Sequence, residues 1–210
     1  EILRCLVGSE MCIRDSMRTL LMLCLIALIT GCSNDDEPKI MSALNVNELV
    51  GFVGKPSEHV KSNFKNATLE NESSSLGKVT LRYGLLTEES NYSVTFKSNA
   101  DGIINQIDVY GSLDGGYDKG VEIYKANMDK INSTINHETY RSQYSSASAG
   151  LIDFSDRSEF WDYVAKNGVG TSIYEIWWIE NTAKVKFTIE CEYIRENNAI
   201  SIEIEKKSWE

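Results

Sequence analysis

The sequence predicts an α+β fold: an antiparallel sheet packed by helices, whose element order admits a tandem duplication of one ααβββ unit. Three observations carry this. Val121, Tyr124, Met128, Ile131 and Ile135 recur at steps of three and four, which puts them on one face of a helix of about four turns. Several other segments alternate apolar and polar residues with a period of two, as half-buried strands do. The elements run helix pair, three strands, helix pair, three strands. The two units would be residues 45–112 and 113–210. Their sequence identity is weak, so the repeat rests on pattern.

The elements follow in order. Asn47 to Gly54 reads as a short helix with Asn47 as N-cap. Lys55 to Phe64 reads as a second helix, with Pro56 in its first turn and Val60 and Phe64 on its apolar face. The polar, Ser-rich stretch Asn66 to Gly77 reads as a loop. Val79, Leu81, Tyr83 and Leu85 then alternate with polar residues, as do Tyr92, Val94 and Phe96. Asp101-Gly102 is a tight-turn signal before Ile103, Ile107 and Val109. These make a three-stranded meander. Leu113-Asp114-Gly115-Gly116 breaks the sheet ahead of the long helix. Tyr140 to Gly150 reads as a polar loop. Asp156-Arg157-Ser158-Glu159 is a capping-box signal opening a helix that carries Phe160, Tyr163 and Val164 and closes at Asn167-Gly168.

Three strands finish the chain. Tyr174, Ile176 and Trp178 share one face of the first. Val185, Phe187, Ile189, Cys191 and Tyr193 alternate with charged and polar residues in the second. After the turn at Glu196-Asn197-Asn198, Ile200, Ile202 and Ile204 alternate with Ser201, Glu203 and Glu205. Antiparallel strands with polar outer positions imply helices on one face only.

Two N-terminal segments stand apart from the fold. Residues 6–16, Leu6-Val7-Gly8-Ser9-Glu10-Met11-Cys12-Ile13-Arg14-Asp15-Ser16, back-translate with one permitted codon set into a string like a DNA-library adapter. Residues 1–16 are therefore read as a sequencing scar, and Cys5 and Cys12 carry no chemistry. Residues 17–31 have Arg18 as a positive flank and an unbroken apolar run from Leu20 to Ile29. That run is too short to span a bilayer, which takes about 20 residues. It ends in Leu28-Ile29-Thr30-Gly31-Cys32.

This arrangement resembles the signal peptide and lipobox of bacterial lipoproteins. The resemblance implies cleavage between Gly31 and Cys32, with diacylglyceryl and further acyl chains on Cys32. Two or more chains anchor a protein stably, whereas one is marginal. Residues 32–44 then form a lipidated acidic tether beginning Ser33-Asn34-Asp35-Asp36-Glu37. It resembles the acidic export signal that sends some lipoproteins to the outer face of the outer membrane; a plain flexible linker has the same composition. The expected location is the bacterial cell envelope, lipid-anchored at the outer membrane.

Composition narrows the function. The chain carries a formal charge of −10, and removing residues 1–31 takes away three basic and three acidic residues and leaves it unchanged. An acidic body argues against nucleic acid, which needs Lys/Arg clusters, and against adhesion to anionic lipid beyond the anchor. Only Cys32 and Cys191 remain after cleavage, so acylation of Cys32 leaves no intrachain disulfide. Cys191 falls on an apolar strand face, where a thiol behaves as a small hydrophobe.

No group of residues has convergent catalytic or metal spacing. His59 and His137 lack histidine partners at helical zinc spacing. Ser62-x-x-Lys65 and Ser75-x-x-Lys78 match a nucleophile–base spacing without its companion motifs. Asp114 to Asp118 lacks the alternating oxygen ligands of a calcium loop. No catalytic residue, metal or cofactor is assigned. The segment Ile173 to Ile179 is apolar on both faces. Its outer face would carry Ile173, Trp177 and Ile179, either buried under a helix or second sheet, or exposed as a partner-binding patch to which Trp161 and Trp209 could add.

The helix–Gly54-Lys55-Pro56–helix followed by a meander resembles small envelope lipoproteins of the outer-membrane assembly class. The paired units resemble β-lactamase-inhibitor-protein-like tandem folds. The expected function is a membrane-anchored, non-enzymatic protein-binding module. Alternatives are an inhibitor or immunity-type protein against an envelope enzyme, and a hydrolase with an unrecognised site.

Overall fold

The computed structural model describes residues 43–208 except 89, 138, 183 and 184, and the backbone alone at 179–191, 207 and 208. The segments read from sequence as a scar, a signal peptide and a tether, through residue 42 and with Gly31 and Cys32, lie outside the described residues.

Two short helices open the fold. Asn45 caps α1 (Val46–Phe52) by accepting from the Glu48 N–H. The cap is thus two residues earlier than Asn47, because Leu44, Val46, Leu49 and Phe52 are the residues that turn into the core. Leu44, assigned to the tether from sequence, is 1% exposed. Pro56 occupies the N-cap position of α2 (Ser57–Asn63), where its missing N–H costs nothing.

Four strands follow rather than three. β1 (Thr68–Ser75) occupies the stretch read as a loop and is exposed at every position. It pairs along β2 (Lys78–Leu86), from Thr68 opposite Gly84 to Ser75 opposite Lys78. A strand that buries no side chain leaves no period-two signature; backbone pairing holds it, with Glu72 salt-bridged to Lys61 and Glu70 to Arg82. Its turn places Leu76 and Gly77 at φ 51° and 79°, the positive angles that tight hairpin turns demand. β3 (Ser90–Ser98) and β4 (Ile104–Leu113) complete the meander. The Asn99 side chain accepts from the Asp101 and Ile103 N–H groups to set the turn between them.

α3 (Gly116–Thr134) buries Ile123, Tyr124, Asn127, Met128 and Ile131. A hairpin of β5 (Thr139–Ser146) and β6 (Gly150–Phe154) then stands where a loop was expected. α4 (Arg157–Asn167) is capped by Asp156, whose carboxylate accepts from the Ser158 and Glu159 N–H groups at 2.8 and 2.9 Å. β7 (Ser172–Thr182), β8 (Val185–Ile194) and β9 (Ala199–Ser208) end the described chain.

All nine strands join one antiparallel sheet in the order β1-β2-β3-β4-β9-β8-β7-β5-β6, and the sheet is not closed. This overturns the α+β class and the tandem ααβββ reading. The chain is mainly one large sheet with four helices. Its halves also differ in order: the first runs ααββββ, while the second inserts the β5–β6 hairpin between α3 and α4. The strands β1, β5 and β6, expected from sequence as loops or not at all, account for the difference.

Directly opposed residues share a face. Leu81, Phe96, Ile107 and Ile204 therefore lie in one row across β2, β3, β4 and β9, and none is exposed. The helices cover this side. Phe96 sits edge-on to Phe52, Phe64 and Tyr83 with centroids 5.3–5.8 Å apart. The seam between β4 and β9 joins the two halves. There Asn198, at φ 45°, donates to the Leu113 carbonyl and accepts from the Tyr193 hydroxyl, both at 2.6 Å.

Leu76 is 94% exposed and holds a left-handed conformation that costs a branched side chain about 1–2 kcal/mol. Leu76→Asn keeps the turn and relieves that cost. It should raise stability by about 1 kcal/mol in urea unfolding; a loss of stability would show that Leu76 makes a contact beyond its turn.

Candidate functional site

β7 carries the segment singled out from sequence, and its faces are the reverse of the expected ones. Ile173, Glu175 and Trp177 point under the helices and have no exposure. The Trp177 indole donates to Asn132 Oδ1 on α3 at 3.1 Å. Ile173 and Trp177 are therefore core residues and form no exposed patch; the Ile179, Cys191 and Trp209 side chains lie outside the described residues. Tyr174, Ile176 and Trp178 instead take the opposite face.

Around Glu175 the covered side holds a polar clasp. Glu175 Oε2 accepts from the Tyr140 hydroxyl at 2.7 Å and from Arg157 Nε at 2.8 Å. Arg157 Nη1 reaches Asp129 Oδ1 on α3 at 2.7 Å, and Lys125 holds the other oxygen at 2.7 Å. One guanidinium thus ties α4 to both β7 and α3. Burial pushes the Glu175 carboxyl up, against the pull of Arg157 and Tyr140. Burial and the neighbouring Glu175 charge push the Tyr140 hydroxyl far up. Burial would also raise Asp129, but Lys125 and Arg157 outweigh it and hold that carboxyl below its ordinary value. Among the described residues, Glu175 Oε1 and Arg157 Nη2 are buried without a hydrogen-bond partner. Glu175 has no exposure, and the clasp fastens α4 to β7 and α3. Its sequence signal was a lone charge, Glu175, in the middle of an apolar strand.

The side facing away from the helices has a different composition. Gly84, Ser93, Tyr110, Ser201, Glu192 and Tyr174 form one cross-strand row from β2 to β7. Tyr110 is 47% exposed between Ser93 and Ser201, whose small side chains leave its ring clear. Trp178 and Tyr174 are half-buried on the same face. Beside this row Asp108 takes Lys97 Nζ at 2.6 Å and Gln106 Nε2 at 2.9 Å, and Gln106 also reaches Glu203 at 3.2 Å. At one end Arg82 pairs with Glu70. At the other, Arg141 and Gln143 both bond Asp153 at 2.8 Å.

The remaining candidates stay apart. His59 on α2 lies 3.3 Å from Asn63, and His137 lies beyond the end of α3 with its Nδ1 near the Ile135 carbonyl. Ser62 donates to the Glu58 carbonyl inside its helix. Ser75 and Lys78 flank the Leu76–Gly77 turn on paired strands. Gly115, at φ 89°, starts α3 and Asp118 lies in its first turn, which accounts for the Asp114 to Asp118 motif. Among the described residues, no three His, Cys, Asp or Glu are placed to hold a metal, and no helix is long and apolar enough to cross a membrane.

Removing one partner of a buried pair strands the other charge. Arg157→Ala should cost about 3–5 kcal/mol in urea unfolding, while Arg157→Met with Glu175→Leu should recover most of it. An equal loss in single and double variants would mean that packing, not charge, dominates. Asp129 titrates lower in the folded state than in the unfolded chain. Its contribution is therefore present above about pH 4 and is lost as pH falls through the depressed folded value. Asp129→Asn should flatten the acid limb of stability below about pH 4, measured by urea titrations at several pH values; an unchanged slope would rule the contribution out.

No protein-family model matches this chain, and comparison with curated proteins and with solved structures finds no match.

Proposed function

We propose that this chain is a lipid-anchored protein of the bacterial envelope that works as a non-enzymatic protein-binding module. Cys32 carries the anchor, the acidic segment gives reach, and the helix-free face of the sheet meets a protein partner. The observation that carries the binding role is the half-exposed Tyr110 in a row of serine and glycine, on the sheet face opposite the helices of the described residues. Tyrosine set among small polar residues supplies contact area with little conformational entropy to lose, the composition that binding loops favour. The lipobox-like run ending at Cys32 supports the envelope location.

Both parts can be tested in cells. Mass spectrometry should show acyl chains on the wild-type Cys32 peptide. Cys32→Ala should lose them and shift the protein out of the membrane fraction; identical fractionation would defeat the anchor. A photo-crosslinking amino acid at position 110 should give a discrete adduct, whereas the same group at position 122 on exposed α3 should not. Adducts from position 122 alone would place the partner on the helices instead.

A further inference from the structure

We propose that the outer edge of β6 is an interface between two copies of this chain, which pair β6 against β6 across a twofold axis at Ile152 and continue the sheet from one copy into the other. This edge lies at the margin of the sheet, away from β4 and Tyr110, and does not depend on the partner proposed for the helix-free face.

Among the described residues the sheet ends at β1 on one side and at β6 on the other, so each presents alternate backbone N–H and C=O groups along its outer side. The two edges differ. β1 carries Glu70 and Glu72, and its register shifts between Leu69 and Asn71. Charge and a bulge are means by which an edge strand is kept from pairing. β6 reads Gly150-Leu151-Ile152-Asp153-Phe154, and its register with β5 is unbroken. Its one charge, Asp153, is already held by Arg141 and Gln143 at 2.8 Å. Leu151, on the helix-free side, is 64% exposed. On the helical side Ile152 and Phe154 are half-buried, and Phe154 lies against Phe160 and Tyr163 with centroids 5.6 and 5.4 Å away. The β6 margin is therefore apolar on both sides of the sheet.

A second copy fits this margin. Antiparallel pairing centred on Ile152 overlaps the whole strand. It sets Ile152 against the partner's Ile152 and Phe154 against the partner's Gly150. A Cβ at Gly150 would meet nothing within 4 Å, so a ring can lie over it. Aromatic residues cover edge glycines in antiparallel sheets in this way. Leu151 meets the partner's Asp153, whose carboxylate Arg141 already matches, so no lone charge is buried. Each contact occurs twice across the axis, as a closed dimer requires. Twofold pairing of β1 would instead gather Glu70 and Glu72 of both copies at one seam. A strand as short as β6 makes a small interface, so the dimer is of the weak, reversible class.

Sedimentation velocity on the whole protein should show a monomer–dimer equilibrium as concentration rises to the order of 100 µM. Amide exchange at residues 150–154 should slow over the same range, while exchange at residues 68–75 should not. Leu151→Glu puts like charges across the axis twice and should weaken the dimer about tenfold. Ser73→Glu adds the same charge to the β1 edge and should change the dimer less than about twofold. Each copy carries a formal charge of −10, so added salt should tighten the dimer by screening long-range repulsion. Unfolding midpoints of both variants confirm that the fold is intact. A monomer throughout, a dimer whose exchange protection falls on β1, or a dimer indifferent to Leu151→Glu would overturn the inference.

Discussion

The pairing of β4 with β9 is the constraint on which the rest depends. β4 lies in the middle of the described chain and β9 at its end, and their register sets Ile107 against Ile204 and Val109 against Ile202, all buried. Without that seam the β1–β4 meander and the β9-β8-β7-β5-β6 group would be two smaller sheets, each with a bare apolar edge. The Asn198 side chain locks it by bonding the Leu113 carbonyl and the Tyr193 hydroxyl, where β4 ends and α3 begins. A slip of one residue would turn Ile200, Ile202 and Ile204 out to solvent, so the register is strongly specified.

Once the seam is set, the two faces of the sheet take different roles. The helices close one face, and the Glu175–Arg157–Asp129 clasp fastens α4 to β7 and α3 through one guanidinium. Burying charge this way adds little net stability, because desolvation offsets the attraction. Its effect is positional: α4 has one place in which all three groups are met. The helix-free face needs no such fastening. Its strands are hydrogen-bonded to one another, which fixes the position of Tyr110 and would lower the entropic cost of the proposed binding.

Strands with one buried face were legible, because burial writes a period of two into the residues, as at Val79 to Leu85 and Ile200 to Ile204. The capped helix at Asp156 and the long helix of Tyr124, Met128 and Ile131 were legible for the same kind of reason. β1, β5 and β6 were not. β1 buries no side chain, β6 only half-buries two, and β5 buries Ser142 and Tyr144 among polar residues; their backbones are paired, but hydrogen bonding leaves no mark on composition. Missing them made two loops out of two hairpins and produced a repeat that the structure does not have. The proposed binding face was illegible for a related reason: the serines on either side of Tyr110 come from two other strands.

The sequence by itself determined the local periodicities, the acidic balance and the lipobox-like run at Cys32, because each is a property of neighbouring residues. Tertiary structure alone decided which side of β7 is covered. Ile173 to Ile179 is apolar on both faces, so alternation could not choose between Ile173 and Trp177 on one side and Tyr174, Ile176 and Trp178 on the other. The choice falls to the partners that other elements supply: Trp177 meets Asn132 on α3, and Glu175 meets Arg157 on α4 and Tyr140 on β5. A buried charge requires its counter-charge in place, and only the folded chain brings the two together.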